Sequence, residues 1–205
     1  IRVTLGRRDL LRMQLRAILR AGVGHPVEVL LPMISSLAEL REARGVLAEV
    51  QAELALPAPR VGVMIEVPAA VAVADQLAAE ADFLSIGTND LVQYVMAADR
   101  TNARVASIAD PFQPAVLRLI RQTVAAGREA GVGVALCGEL AADLLATPLL
   151  LGLGLEEFSV SAPLIPELKR AIARWTLAEA GEVADQALAL DSSQAVRRLL
   201  AAARR

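Results

Sequence analysis

VGVMIEVPAAVAVADQLAAEADFLSIGTND, Val61–Asp90, reads as strand, helix, strand. Val61–Val67 is an apolar run interrupted only by Glu66, and Phe83–Thr88 is a second short run. Pro68–Glu80 between them reads as a helix, with proline in the first turn, where no intrahelical N–H is needed. Strand, helical crossover and strand together imply parallel pairing with a right-handed connection. The alternation continues on both sides. Val27–Ile34, Val132–Gly138 and Glu157–Ser161 read as further strands. Such near-continuous apolar runs are expected where both faces of a sheet are covered.

Helical patterns separate these runs. Ser36 opens one that runs to about Ala55, with Glu39 completing a capping box and Pro57 beyond its end. Asn89 or Asp90 starts a short helix, Pro114–Ala130 is amphipathic and closed by Gly131, and Asp143–Leu151 and Pro163–Arg174 follow. Leu11–Arg20 precedes the first strand, and Leu177–Leu190 and Ser192–Ala203 form a helical tail. The fold class is therefore α/β. Two architectures fit: a doubly wound sheet, or a piece of a (β/α)8 barrel.

Composition narrows the function classes. The chain has 205 residues, long enough to bury a core, and 55% are hydrophobic against 21% charged, which excludes a disordered tail. Aromatics are only 2%, so the core is built from Ala, Leu and Val. A net charge of −2 gives no basic excess for nucleic acid. Mean hydropathy is positive, yet the longest charge-free stretch, Leu144–Leu155, has 12 residues, short of the ~20 that a spanning helix needs. No signal peptide is visible, and the single cysteine excludes an internal disulfide framework. The chain begins at Ile1 rather than Met, which reads as the interior of a longer gene product or a cleavage point.

Functional residues of parallel α/β folds gather at the carboxyl ends of strands. Here those ends carry Glu66, then Gly87-Thr88-Asn89-Asp90, then Cys137-Gly138-Glu139. A buried carboxylate such as Glu66 needs a partner, a proton or a metal. With Asp90 it would offer two hard oxygen ligands, which suits Mg²⁺ better than Zn²⁺; alternatively Glu66 pairs with an Arg and Asp90 caps a helix. The Gly87–Asp90 segment could hold an anion such as phosphate on its N–H groups, or be an ordinary βα loop. Arg100, at the far end of the helix that this loop begins, suits bidentate phosphate or carboxylate recognition, or is a surface cation. Cys137 is a buried hydrophobe, a nucleophile or, kept protonated, a proton donor. His25 lies at the amino end of the first strand and reads as a loop histidine, while Arg7, Arg8 and Arg204-Arg205 read as solvated charge.

These residues sit in recognisable surroundings. IEVPAA (Ile65–Ala70), FLSIGTNDLVQYVMAADR (Phe83–Arg100), ALCGELAAD (Ala135–Asp143) and LLLGLGLEEFSVSAPLIPELKRAI (Leu149–Ile172) resemble the carboxyl-terminal domain of the PEP-utilising enzymes. Within them the chain looks most like enzyme I of the bacterial sugar phosphotransferase system. The similarity also takes in the opening IRVTLGRRDLLRMQLRAILRA and the tail ADQALALDSSQAVRRLL. The resemblance implies a (β/α)8 TIM barrel that binds phosphoenolpyruvate and Mg²⁺ at its carboxyl rim. On that basis Glu66 and Asp90 hold the metal, Asn89, Asp90 and Arg100 hold the substrate, and Cys137 protonates the enolate to give pyruvate. The phosphoryl group would pass to a histidine on a separate amino-terminal domain, and from there to a histidine-containing phosphocarrier protein. A cytoplasmic homodimer is implied as well.

The chain also departs from that pattern. The family's substrate-binding arginines on early strands and its phosphohistidine domain have no counterpart here. Five strands are expected where a closed barrel has eight, so residues 1–205 are expected to be an amino-terminally truncated barrel domain, inactive alone, with two exposed strand edges. A soluble, cooperative monomer would count against that expectation. The alternatives are the barrel of a pyruvate phosphate dikinase or phosphoenolpyruvate synthase, and a non-catalytic dimerisation module.

Overall fold

The computed structural model describes residues 1–203; Arg204 and Arg205, read above as solvated charge, lie outside the described residues. Its strands are β1 (Glu28–Leu31), β2 (Arg60–Ile65), β3 (Phe83–Gly87), β4 (Val134–Cys137) and β5 (Glu157–Phe158). They form one parallel sheet in the order β1-β2-β3-β4-β5. That order decides between the two architectures. A doubly wound sheet reverses its order at a switch point. A sheet that adds every strand on the same side, through crossovers of one hand, carries its helices on one face, as a barrel does. The five strands are thus an arc of a (β/α)8 barrel, and the arc is open: β1 and β5 do not pair with each other.

The helices are α1 (Arg2–Gly6), α2 (Arg8–Ala21), α3 (Leu37–Leu54), α4 (Pro68–Ala72), α5 (Ala74–Glu80), α6 (Thr88–Val95), α7 (Pro114–Ala130), α8 (Glu139–Ala142), α9 (Thr147–Gly152), α10 (Ile165–Ile172), α11 (Leu177–Ala189) and α12 (Ser193–Ala203). The alternate strand residues Val61, Val63, Ile65, Leu84, Ile86 and Leu136 are buried, and with Leu40, Leu77, Leu117 and Ile120 of the helices they build the core. Each such side chain contributes about 2 kcal/mol of burial free energy. The other face is different in kind. It carries Gly62, Met64, Phe83, Ser85, Gly87, Ala135 and Cys137, small or polar for the most part. Helices therefore cover one face, not both, and the second face is the inner surface of the arc.

Several boundaries differ from the sequence reading, each for a local reason. β1 stops at Leu31 because Pro32 lacks a donor and Met33 takes a left-handed conformation (φ 58°). The Pro68–Glu80 helix breaks into α4 and α5 at Val73 (φ −120°, ψ 25°). Thr88 begins α6 rather than ending β3, and within Asp143–Leu151 only the part from Thr147 onward is helical, as α9. β5 is reduced to two residues. The capping box forms as expected: Ser36 Oγ accepts from the Glu39 N–H at 3.3 Å, and Glu39 Oε2 accepts from the Ser36 N–H at 3.1 Å. Arg8 is not simply solvated; it starts a ladder in which Arg8, Arg12 and Arg16 of α2 alternate with Glu49 and Glu53 of α3. No described helix is long and apolar enough to cross a membrane.

α9 packs closely against α11. A Cβ built on Gly152 would overlap the Ala180 carbonyl oxygen and lie 2.5 Å from its carbon and 2.7 Å from the Ala184 Cβ. Backbone cannot yield as a flexible side chain does. Gly152→Ala is therefore expected to destabilise the fold by about 3 kcal/mol, read as a lower urea midpoint with unchanged slope. An unchanged midpoint would show that α11 moves freely off α9.

Candidate functional site at the carboxyl rim

Glu66 directly follows β2 and is only 5% exposed. Its Oε1 accepts the Met33 N–H at 2.7 Å, so the left-handed turn after β1 delivers an amide to this carboxylate. The rest of the side chain leans over Gly87, where a Cβ would lie 2.7 Å from Oε2 and 2.9 Å from the Glu66 Cβ. Only glycine leaves that space open. Burial pushes the Glu66 pKa above the usual carboxylate range, the negative charge of Asp90 pushes the same way, and the Met33 amide pulls against both. Asp90 stands in the first turn of α6, whose N-terminus has no side-chain cap. Neither carboxylate forms an ion pair among the described residues. The bland alternatives, an arginine partner for Glu66 and a cap made by Asp90, are thus not what the structure contains.

Cys137 ends β4, half-buried, and pairs in register with Gly87. Glu66, Gly87 and Cys137 consequently follow one another across three adjacent strand ends. Cys137 Sγ donates to the Ile86 carbonyl at 3.4 Å and accepts from Ser85 Oγ at 3.8 Å. The rim is fastened by Thr88 Oγ1, which donates to the Cys137 carbonyl at 2.9 Å. Gly138 then turns the chain away at φ 94°, where a Cβ would overlap Thr88 Oγ1.

Asn89 and Arg100 lie to one side of these groups. They line a cavity of about 290 Å³ with Thr88, Ala109, Pro111 and Glu139. Asn89 Oδ1 accepts the Glu139 N–H at 3.1 Å, which leaves its Nδ2 donors for a ligand. Arg100 does not end a helix: α6 stops at Val95, and the exposed Arg100 sits in the following loop, its N–H donating to Gln93 Oε1 at 3.3 Å. Glu66, Asp90 and Cys137 do not line this cavity. His25 is at the opposite end of the sheet, beside a larger apolar cavity of about 680 Å³, as its place before β1 implied.

Sequence reasoning missed Ser85 and the Met33 amide. Ser85 carried a signal, since it is the polar residue inside FLSIG and shares its face with Gly87. Met33 carried none, because its contribution is a backbone conformation. Among the described residues no three His, Cys, Asp or Glu side chains gather closely enough to hold a metal by themselves. Two carboxylates that feel each other's charge, with no ion-pair partner among the described residues, still suit a hard cation that draws its remaining ligands from water and substrate oxygens.

A barrel arc with such a rim belongs to a known class. Residues 1–177 match the PEP-binding domain of the PEP-utilising enzymes, and the chain belongs to that family. Its relatives include the proteins named phosphoenolpyruvate-protein phosphotransferase from Listeria monocytogenes and Geobacillus stearothermophilus, each 44% identical, and from Bacillus subtilis, 41% identical, all over 202 residues. These alignments cover 96% of this chain and 35% of each relative, so the chain spans about a third of their length. A solved citrate lyase structure from Burkholderia xenovorans is similar in fold, with a TM-score of 0.63 at 20% identity over 93% of this chain and 66% of its own.

Proposed function

We propose that this chain is the phosphoenolpyruvate-binding barrel part of a phosphoenolpyruvate–protein phosphotransferase that serves sugar uptake. The observation that carries the reading is that Glu66 follows β2, Asp90 stands in the first turn of the helix after β3 and Cys137 ends β4, all at the carboxyl end of one parallel sheet. The names of the relatives favour it over the dikinase or synthase barrel. The strands, histidine domain and phosphocarrier contact of the whole enzyme would come from the part of the relatives that this chain does not span. A cytoplasmic homodimer fits the same reading.

In this reaction a histidine nitrogen bonds to the phosphorus of phosphoenolpyruvate as the P–O bond to the enolate oxygen breaks. The electron pair stays on that oxygen, and the enolate carbon then takes one proton to become the methyl group of pyruvate. Positioning and charge neutralisation carry most of such a transfer. Arg100 and the Asn89 amide group would hold the phosphate from the cavity side. Asp90, beside them on α6, would orient the substrate and share the metal. Cys137 would supply the proton, with its thiol aimed by the Ile86 carbonyl and the Ser85 hydroxyl. The donor set fits Mg²⁺: a buried carboxylate with a raised pKa beside a second carboxylate is what a divalent cation relieves. Bound between Glu66 and Asp90, Mg²⁺ would supply neutralisation of the substrate's negative charge.

The test uses the intact gene product with phosphoenolpyruvate and Mg²⁺. Pyruvate should form in step with an acid-labile phosphoprotein. Absence of both, with the protein folded, would overturn the proposal.

A further inference from the structure

The outer wall of the Asn89–Arg100 cavity is the segment that follows α6, and Arg100, Ala106, Ala109 and Pro111 line the cavity from it. Asp110 stands between two of these lining residues and turns the other way. Its carboxylate accepts from Arg197 of α12, Nη2 to Oδ1 at 2.9 Å and Nε to Oδ2 at 3.3 Å. The guanidinium carbon of Arg197 also lies 4.2 Å from the centroid of the Phe112 ring, and Phe112 is fully buried. Asp110 Oδ1 accepts the Phe112 N–H at 3.0 Å, which ties the pieces into one unit. α12 is in turn anchored by the buried Val196 and Leu200.

The loop needs such an anchor. Asp99–Arg104 is exposed, and its hydrogen bonds are local: Thr101 to Asp99, Arg104 to Asn102, and Arg100 back to Gln93. Local turns shape a loop without holding it against a site. A planar guanidinium bound through two nitrogens and stacked on a buried ring fixes distance and direction together.

We propose that Arg197 is a positioning residue: through Asp110 and Phe112 it latches the last helix to the wall of the cavity and so holds Arg100 in place for the substrate's phosphate. The ligand in this statement rests on the functional reading above; the latch itself does not. Arg197 touches neither substrate nor metal. Its effect is to keep the cavity formed before substrate arrives, so it acts on binding more than on the chemical step.

The experiment makes Arg197→Ala, Asp110→Asn and the exchanged pair Asp110→Arg/Arg197→Asp in the intact gene product. Amide hydrogen exchange is followed over residues 96–113, and KM and kcat are measured for phosphoenolpyruvate. Each single variant should speed exchange in that segment and raise KM about tenfold with kcat nearly kept. The exchanged pair should recover part of both losses because it re-forms the ion pair, and the rise in KM with kcat kept is what a merely structural role would not give. Where Arg197→Ala also loosens α12, Asp110→Asn decides, because it alters only the loop side of the pair. Unchanged exchange over 96–113 overturns the latch. Faster exchange with unchanged KM overturns its role in substrate binding. Failure of the unaltered protein to form pyruvate overturns the functional reading and the substrate half of the proposal, and the exchange data then judge the latch separately.

Discussion

Cys137→Ala in the intact gene product is expected to lower on-enzyme pyruvate formation about a thousandfold, the usual contribution of a positioned general acid. Alanine fits the half-buried strand end without a clash, so the fold and phosphoenolpyruvate binding should survive. What disappears is the S–H that donates to the Ile86 carbonyl and takes the Ser85 hydroxyl. The clearest readout runs through the carbon atom. Pyruvate incubated in D₂O with the phosphorylated enzyme should exchange its methyl protons when Cys137 is present and lose that exchange in the variant. Cys137→Ser should recover little, because a hydroxyl gives up its proton far less readily than a thiol. Unchanged pyruvate formation would remove Cys137 from the proton-donor role.

The second large effect is expected from Glu66→Gln: Mg²⁺-dependent turnover should fall about a hundredfold or more, since one of the two proposed carboxylate ligands loses its charge. Glutamine keeps the shape and can still accept the Met33 N–H. The same substitution should change stability with the opposite sign. Burial and the Asp90 charge raise the folded-state pKa of Glu66, so the folded protein holds that proton more tightly than the unfolded chain. The resulting stability is fully present below the ordinary carboxylate pKa and is lost as pH rises through the folded value. Without metal, Glu66→Gln should therefore match the parent in acid and exceed it at neutral pH. Mg²⁺ should raise the Tm of the parent and leave that of the variant unmoved. A variant less stable than the metal-free parent at neutral pH, or one with undiminished turnover, would contradict the ligand assignment.

Asp110 has the reverse sign. Its pKa is lowered: burial alone would raise it, and the Arg197 guanidinium, the Phe112 amide and the Ser193 hydroxyl outweigh that. Stability from this pair is present above the ordinary aspartate range and is lost as pH falls through the folded value. Acid should release α12 from the loop in the parent and change nothing in Asp110→Asn.

Much of this molecule was legible before any tertiary contact was considered. The strand runs, the Ser36 capping box, the Gly131 helix stop and the carboxyl-end placement of Glu66, Asp90 and Cys137 all come from neighbours in sequence. Local rules govern them: side-chain period, capping chemistry and the missing donor of proline. Tertiary structure decided the remainder. Apolar runs alone could not separate a barrel arc from a doubly wound sheet, because periodicity reports burial and is silent on strand order. The carboxylate of Glu66 meets an amide 33 residues away, and Arg197 meets Asp110 across 87 residues. Such contacts depend on how the crossovers stack and where the chain turns back, and those are set by packing of the whole core rather than by any stretch within it.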